Sequence, residues 1–292
     1  GARMTVKAKI IADSIGEHGA RITTFELYIP RFLLAELNTH RVITKNAAAS
    51  RAIPVNRRIE MVMVDPYIPD QFGKNRPGMQ STEVLDADTS EQARALWLAG
   101  RDEMVRIAKT LADIEVHKQF ANRILEPWAH VAVCVTATEW DNFWWLRASK
   151  DAQPEFEALA RLMRELYTAS SPVRTIHHLP YVDDETRSSG LPITDLYQIS
   201  AARCARVSYQ TFDGRKSTIA DDRELCQKLL SSGHLSPFDQ PATADHIELS
   251  DSGARWSDPD AHRQYWGWIP YRVDIEHQIG RIGRRNSHAY LY

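Results

Sequence analysis

Two β-type segments at the start of the chain constrain its fold most. Residues 6–11 and 21–29 are rich in β-branched and aromatic side chains, and a turn with two glycines, residues 16–19, separates them. Pro30 ends the second segment. Leucines on one side of the next stretch predict a short helix over residues 31–41. The pattern therefore predicts two joined strands followed directly by a helix.

The remaining chain is predicted to be mostly helical. A capping box of Thr89 and Gln92 is predicted to open the first long helix. Apolar spacing gives four segments, which are Thr89 to Asp113, His117 to Pro127, Pro154 to Tyr167, and Ile219 to Ser232 followed by Gly233. Residues 131–138 are β-branched enough for a buried strand. Residues 65–82 are rich in proline and glycine and predict a long loop, a type that is often functional.

These elements predict an α/β (α+β) fold. We expect a single mixed domain over residues 1–292, with a central antiparallel or mixed sheet flanked by helices, because no repeat or linker divides the chain. Residues 1–3, which precede Met4, are interpreted as an expression remnant.

Composition narrows the class of protein. A hydrophobic content of 43% and a charged content of 25% are typical of a soluble globular protein, and a net charge of −2 argues against a general polyanion binder. Cys134, Cys204 and Cys226 are far apart, which argues against a disulfide framework and a structural zinc site. A reducing, cytoplasmic setting is expected. The sequence has no signal-peptide pattern and no apolar run of membrane-spanning length.

Residues 37–54 carry the most informative pattern. They place His40, Arg41 and Arg51 at or beyond the end of the predicted helix, with only small residues at 47–50. Arginine forks bind phosphate, and small side chains let a flat ring approach the backbone. The segment thus suits a flat, phosphorylated ligand. An ordinary helix end followed by a surface loop is the alternative.

Three separated segments together resemble the flavin-dependent thymidylate synthases, the ThyX class. Thr39-His40-Arg41 with Arg51 resembles the family signature RHR-x7-S. Residues 142–147 with 151–155 resemble its asparagine, leucine-arginine and alanine-glutamine run. Residues 231–239 resemble the flavin loop GHxTPFEH, and residues 205–209 before them resemble AARVSF. In typical members the last two elements come first, so the chain resembles a phage-type, circularly permuted relative. A site assembled from residues near 40, 142 and 236 is expected.

The resemblance implies transfer of a one-carbon unit from methylenetetrahydrofolate to C5 of dUMP, with FAD reduced by NADPH, in a homotetramer with active sites between subunits. No metal is implied, and no cysteine lies in a matched motif. Arg147 is the implied catalytic residue, because an arginine there favours the N3-ionised pyrimidine. The implied substrate-binding residues are Glu36, Ala49, Ser50, Arg51, Arg123 and Arg147. The implied cofactor-binding residues are Thr39, His40, Arg41, Ala47, Asn142, His234, Ser236 and Asp239. The comparison also allows a helix over 131–138.

The sequence departs from the family pattern in the first segment. Thr39 replaces an arginine, Ala47 a glutamate, Ala49 a serine, and Glu36 a glutamine. Losing a hydroxyl and a carboxylate changes which ring substituents can be paired. Methylation or hydroxymethylation of dCMP therefore stays open, as does a flavin- or nucleotide-binding protein without turnover. Nucleic-acid binding through Arg281, Arg284 and Arg285 is disfavoured by the near-neutral charge.

Overall fold

The computed structural model describes residues 6–79, 81, 83–211, 214–251 and 253–283. Ten strands are present in these residues: β1 Lys7–Ile15, β2 Arg21–Pro30, β3 Thr44–Ala47, β4 His130–Ala137, β5 Val173–Arg174, β6 His177–His178, β7 Ala242–Ala244, β8 Ile247–Ser250, β9 Gly253–Trp256 and β10 Trp268–Pro270. Ten α-helices accompany them: α1 Leu33–Leu37, α2 Val55–Val64, α3 Ala87–Asp113, α4 Lys118–Ala121, α5 Asp141–Arg147, α6 Pro154–Ala169, α7 Asp184–Arg187, α8 Ile193–Arg206, α9 Ile219–Ser231 and α10 Tyr271–Gly283. Four 3-10 helices cover Ser50–Ala52, Arg123–Trp128, Ser236–Asp239 and Pro259–His262.

A five-stranded mixed sheet organises the molecule. Its strand order is β3-β4-β2-β1-β5. The pairs β1–β2, β2–β4 and β3–β4 are antiparallel, whereas β1–β5 is parallel. The predicted turn joins β1 to β2, with Gly19 at a φ of +85° that suits glycine. The predicted mixed α/β fold is confirmed.

The two faces of this sheet pack against different parts of the chain. Side chains alternate along a strand, so Phe25 and Leu27 on β2 share one face with Val133 on β4. This apolar face forms a core with α1, α5 and α6. The opposite face carries polar residues such as Thr24 and Thr136, and it faces the C-terminal part of the chain. The sheet therefore separates the apolar core of α1, α5 and α6 from the C-terminal part of the chain, which contains His178 and Gln240.

Two further cores fix the elements around the sheet edge. Helices α8, α9 and α10 pack around Phe238 of the third 3-10 helix. Helices α2 and α3 pack against Leu125 and Trp128 of the second 3-10 helix. The first of these cores holds the third 3-10 helix against β3, the edge strand that pairs with β4.

Two predicted helices are shorter than expected. The helix predicted over residues 31–41 is confined to α1, and the hydroxyl of Thr39 donates to the carbonyl of Glu36 at 2.6 Å where the chain leaves it. The helix predicted over residues 117–127 divides into α4 and a 3-10 helix. Pro127 disfavours α-helical geometry in the residue before it.

The start of α3 also differs from its prediction. Asp86 is the N-cap, and its carboxylate accepts the backbone N–H of Thr89 at 2.9 Å. The capping box of Thr89 and Gln92 is therefore wrong. The strand predicted over 131–138 is confirmed as β4, so the helix alternative there is wrong. The sequence did not predict α2, α5, α7, α8 and α10, and α9 is not the last helix.

Candidate active site

The segment from Glu36 to Ser50 is the meeting point of the predicted site residues. It begins on α1, continues through β3 and ends on the first 3-10 helix. Each of three side-chain clusters described below contains at least one of its residues. The site therefore lies along the β3 edge of the sheet.

The first cluster joins Glu36, His40 and Arg147. Arg147 is the last residue of α5 and lies one turn after the buried Phe143, so packing of that helix face directs it toward α1. Its Nη1 donates to Glu36 Oε2 at 2.7 Å and its Nε donates to His40 Nε2 at 2.9 Å. The guanidinium also lies 4.6 Å from the ring centre of Phe156. These contacts fix the orientation of the guanidinium plane.

His40 is neutral in this arrangement. Burial, followed by the charges of Arg147 and Lys45, lowers the pKa of His40 to about 4. Because its Nε2 accepts from Arg147, the single ring proton is on Nδ1. Glu36 thus supplies the negative charge of this three-residue cluster, and it stands where the family pattern has a neutral glutamine.

The second cluster gathers around Glu126 at the end of the segment. Its Oε1 accepts from Arg31 Nε at 3.0 Å, from Arg123 Nη1 at 2.9 Å and from the hydroxyl of the fully buried Ser50. Burial acts to raise the pKa of Glu126, but the Ser50 hydrogen bond and the charges of Arg31 and Arg123 hold it below its usual value. Asn122 supports the same place by donating to the carbonyl of Ser50 at 2.9 Å.

Positive charge exceeds negative charge around this cluster. Arg58 on α2 is 1% exposed, and its Nε and Nη1 have no hydrogen-bond partner among the described residues. Burial and the charge of Arg31 lower the pKa of Arg58, and the charge of Glu126 only partly offsets them. Unpaired buried donors are costly, so the cluster suits an anion. A cavity of about 630 Å³ adjoins it and is lined by Arg31, Phe32, Leu34, Ala35, Trp97, Arg123, Glu126 and Pro127.

The third cluster connects β3 to the third 3-10 helix. Asn46 Nδ2 donates to Ser236 Oγ at 3.0 Å, and Gln240 Nε2 donates to Asn46 Oδ1 at 2.7 Å. Asp239 accepts from Arg272 Nη1 at 3.0 Å, and burial raises its pKa against the effect of that charge. The sequence segments near 40, 142 and 236 thus converge on β3 and α1.

The seven other predicted site residues lie on the protein surface and outside these clusters. Exposed side chains can meet a ligand, and that of Thr39 is oriented by its hydrogen bond to the Glu36 carbonyl. The exposed members are Thr39, Arg41, Ala47, Ala49, Arg51, Asn142 and His234.

Sequence reasoning missed several residues of the site. Arg31 and Arg58 lie outside the matched motifs, and nothing in their spacing marks them as partners of Glu126. Gln240 directly follows the motif residue Asp239, in the place of the last histidine of GHxTPFEH. This position in the motif was the one feature of the sequence that could have indicated Gln240 as a site residue.

The AARVSF-like run has a structural role. Asp222 on α9 is fully buried and accepts from Arg203 Nε at 2.9 Å and from Arg206 Nη2. Val207 ends α8 with a left-handed φ of +54°. The run therefore anchors α8 to α9 and holds the third 3-10 helix behind it.

The three cysteines do not provide a nucleophile. All are buried free thiols. Burial raises the pKa of Cys134 and raises that of Cys226 to about 11.

In the described ranges, no group of His, Cys, Asp and Glu side chains is arranged to hold a metal ion. Nor is any helix among those residues long and apolar enough to cross a membrane. Arg284 and Arg285 lie outside the described residues.

Comparison with known families identifies the chain. The family model described as thymidylate synthase complementing protein matches residues 12–173. Because this range is more than half of the 292 residues, the chain belongs to that family. The match contains the first and second motif segments, whereas residues 231–239 lie outside it.

Comparison with solved structures found partial similarity to two structures of one enzyme. The UMP/dUMP methylase PolB from Streptomyces cacaoi bound with 5-Br UMP has a TM-score of 0.48 and 15% identity, covering 57% of this chain and 90% of that chain. The same methylase bound with 5-Br dUMP has a TM-score of 0.46 and 15% identity, covering 57% and 91%. A comparison with curated proteins found no match.

Proposed function

We propose that the protein is a pyrimidine nucleotide C5 methyltransferase of the thymidylate synthase type, acting on dUMP with FAD, NADPH and methylenetetrahydrofolate. Family membership supports the reaction class. The observation that carries the assignment to these residues is the convergence of three motif segments on the segment from Glu36 to Ser50, with Arg147 beside a neutral His40.

The nucleotide would bind between the first and second clusters. The surplus of arginines around Glu126 suits a phosphate, and the unpaired donors of Arg58 add to that surplus. Trp97 and Phe32 line the adjoining cavity and offer flat apolar surfaces. Arg51 and Arg123, both exposed, complete the proposed phosphate and ribose contacts.

Arg147 would act on the pyrimidine ring. A guanidinium held in place by Glu36, His40 and Phe156 stabilises negative charge on an N3-ionised ring without reorganising. The ionised ring carries more electron density at C5. Activation of this kind requires no thiolate, in keeping with the burial of every cysteine.

The flavin would be held by neutral hydrogen-bonding groups. His40, Asn46 and Ser236 offer such groups at the β3 edge, and Asp239 and His234 are close in sequence to the last of them. When bound, reduced FAD supplies the hydride that completes the methyl group. A homotetramer with shared sites and a circularly permuted motif order both belong to this proposal.

The altered motif favours a second candidate reaction. Ala47 and Ala49 stand where the family has a glutamate and a serine, so a different pyrimidine substituent can be accommodated. Methylation or hydroxymethylation of dCMP uses the same three clusters. A flavin- or nucleotide-binding protein without turnover is the remaining alternative.

Release of tritium from C5-labelled nucleotides tests these assignments. The assay contains FAD, NADPH and methylenetetrahydrofolate, with dUMP and dCMP tested separately and the product masses determined by mass spectrometry. Release from dUMP with a methyl mass gain supports thymidylate synthesis. Release from dCMP alone, or a hydroxymethyl gain, favours the second reaction. Bound FAD without release from either nucleotide contradicts both.

A further inference from the structure

A linear network of buried hydrogen bonds leads from β1 to the candidate flavin residue Ser236. We call it the buried network, and its members in order are Ser14, His178, Thr24, Thr136, Gln240, Asn46 and Ser236. The successive donor–acceptor distances are 2.9, 2.7, 2.6, 2.5, 2.7 and 3.0 Å. Four members, Thr24, Thr136, His178 and Gln240, have no exposed surface. Water therefore cannot replace a missing partner in the middle.

The hydrogen bonds of this network must all run in one direction. Burial lowers the pKa of His178 to about 3, so its ring is neutral with one N–H. A threonine hydroxyl has one hydrogen to donate, and an amide has its donors at one end and its acceptor at the other. Consequently, the direction of any one bond determines the direction of the next.

Gln240 fixes the direction of the hydrogen bonds that lead from it to the sheet residues Thr136 and Thr24. Its Oε1 accepts from Thr136, and the thiol of Cys134 approaches the same oxygen at 3.6 Å. Thr136 has then used its only hydrogen, so it accepts from Thr24. Thr24 in turn accepts from Nε2–H of His178.

Gln240 also fixes the direction of the hydrogen bonds that lead through Asn46 to Ser236. Its Nε2 donates to Asn46 Oδ1, which turns Asn46 Nδ2 toward Ser236 Oγ. Ser236 accepts this bond and keeps its own hydroxyl hydrogen for another partner. Ser236 is only partly buried, so that partner can be a ligand.

We propose that Gln240 is a positioning residue that, by orienting the Asn46 amide, presents Ser236 as a hydrogen-bond donor to an acceptor atom of the flavin. The inference rests on the proposed flavin function. Gln240 itself lies behind Asn46 and does not need to touch the cofactor. Ser14 and His178 complete the network at its far end.

Nitrogen-15 NMR of His178 tests the direction of the network without any cofactor. The expected spectrum has a protonated Nε2 and an unprotonated Nδ1, because Nδ1 accepts from Ser14. A proton on Nδ1 would mean that every bond runs the other way. Ser236 would then donate to Asn46, which overturns the proposal.

Flavin titrations of variants test the action through Ser236. In Gln240→Glu, an ionised carboxylate can only accept, so Asn46 must turn its Nδ2 inward and Ser236 must donate to it. We expect FAD affinity to fall about fivefold to tenfold, the loss of one hydrogen bond. Ser236→Ala should weaken binding equally. The double variant should be no weaker than Ser236→Ala alone.

A second variant covers the case in which Gln240→Glu fails to fold. Asn46→Asp keeps the bond from Gln240 but forces Ser236 to donate inward, and its loss of affinity should also vanish in a Ser236→Ala background. Charge repulsion alone would persist in that background. The matched control is Ser257→Ala, which removes a hydrogen bond to Asp245 away from the network and should leave FAD affinity unchanged.

The outcomes separate this proposal from the proposed function. Additive losses in the double variants, or wild-type affinity in Gln240→Glu, overturn the positioning role. A wild-type protein that binds no FAD contradicts the flavin function and with it the role of Ser236. In that case the tautomer of His178 still decides whether Gln240 directs the buried network.

Discussion

Replacing Glu126 by glutamine should separate folding stability from phosphate binding. Glutamine keeps an acceptor for Ser50 but removes the charge opposite Arg31, whose side chain is 12% exposed. A hydrogen bond to a charged group contributes about 1.5–3 kcal/mol, while the exposed Arg123 pair adds about 0–1 kcal/mol. Glu126 is 26% exposed, so solvent screening keeps the total loss at about 2 kcal/mol. Urea unfolding of Glu126→Gln measures this loss.

The surface variant Glu103→Gln is the matched control. Glu103 pairs with Arg106 and both side chains are at least half exposed, so solvent screens the pair and its loss should change the free energy of unfolding very little. If Glu126→Gln costs no more than this control, the cluster does not depend on its carboxylate and the reasoning is refuted.

The same Glu126→Gln variant should bind dUMP more tightly. A phosphate supplies the negative charge that the substituted side chain no longer provides, so a tenfold gain in affinity would add about 1.4 kcal/mol of stabilisation at a fixed excess of ligand. The measurement is the shift in unfolding free energy on adding dUMP. Equal shifts in wild type and variant would exclude the second cluster as the phosphate site.

Three further predictions concern the remaining clusters. Arg147→Ala should abolish C5 tritium release while FAD stays bound, measured by flavin absorbance, whereas the exposed Arg161→Ala should leave both unchanged; retained turnover would remove Arg147 from the mechanism. Ala49→Ser or Thr39→Arg should change the ratio of dUMP to dCMP turnover, and an unchanged ratio would make these departures neutral. The depressed pKa of His40 means that the unfolded state binds more protons, so the free energy of unfolding should fall as pH drops from about 6.5 toward about 4. His40→Asn should make that fall shallower, and an unaltered slope would contradict the depressed pKa.

The sequence predicted the fold best where the local composition or spacing was distinctive. The strands at 21–29 and 131–138 follow from β-branched and aromatic content, and the helix at 154–167 follows from regular apolar spacing. The missed helix α8 has small and polar residues on its buried side, including Ser200 and Arg203, so its pattern looks unlike an amphipathic helix. Its buried Arg203 is paired with Asp222, about twenty residues later in the chain, which no local pattern reveals.

The residues of the candidate site also fall into those that the sequence could indicate and those that it could not. Motif resemblance selected Glu36, His40, Ser50 and Arg147, which do make the central contacts of the first two clusters. It could not select Arg58, whose importance depends on having no partner among the described residues once buried. Unpaired buried charge is a property of the packed molecule, so only the structure identifies it.

The polar face of the central sheet has a consequence for how the two parts of the chain dock. An apolar interface tolerates small displacements, because one methyl group can replace another at little cost. Here the hydroxyls of Thr24 and Thr136 must align with the hydrogen-bonding atoms of His178 and Gln240. A slip of one residue would leave several donors and acceptors unpaired at once, each costing about 1–3 kcal/mol. The C-terminal part can therefore dock on the sheet in one alignment only. Contacts at the far end of the buried network thus help to set the distance between Asn46 and Ser236.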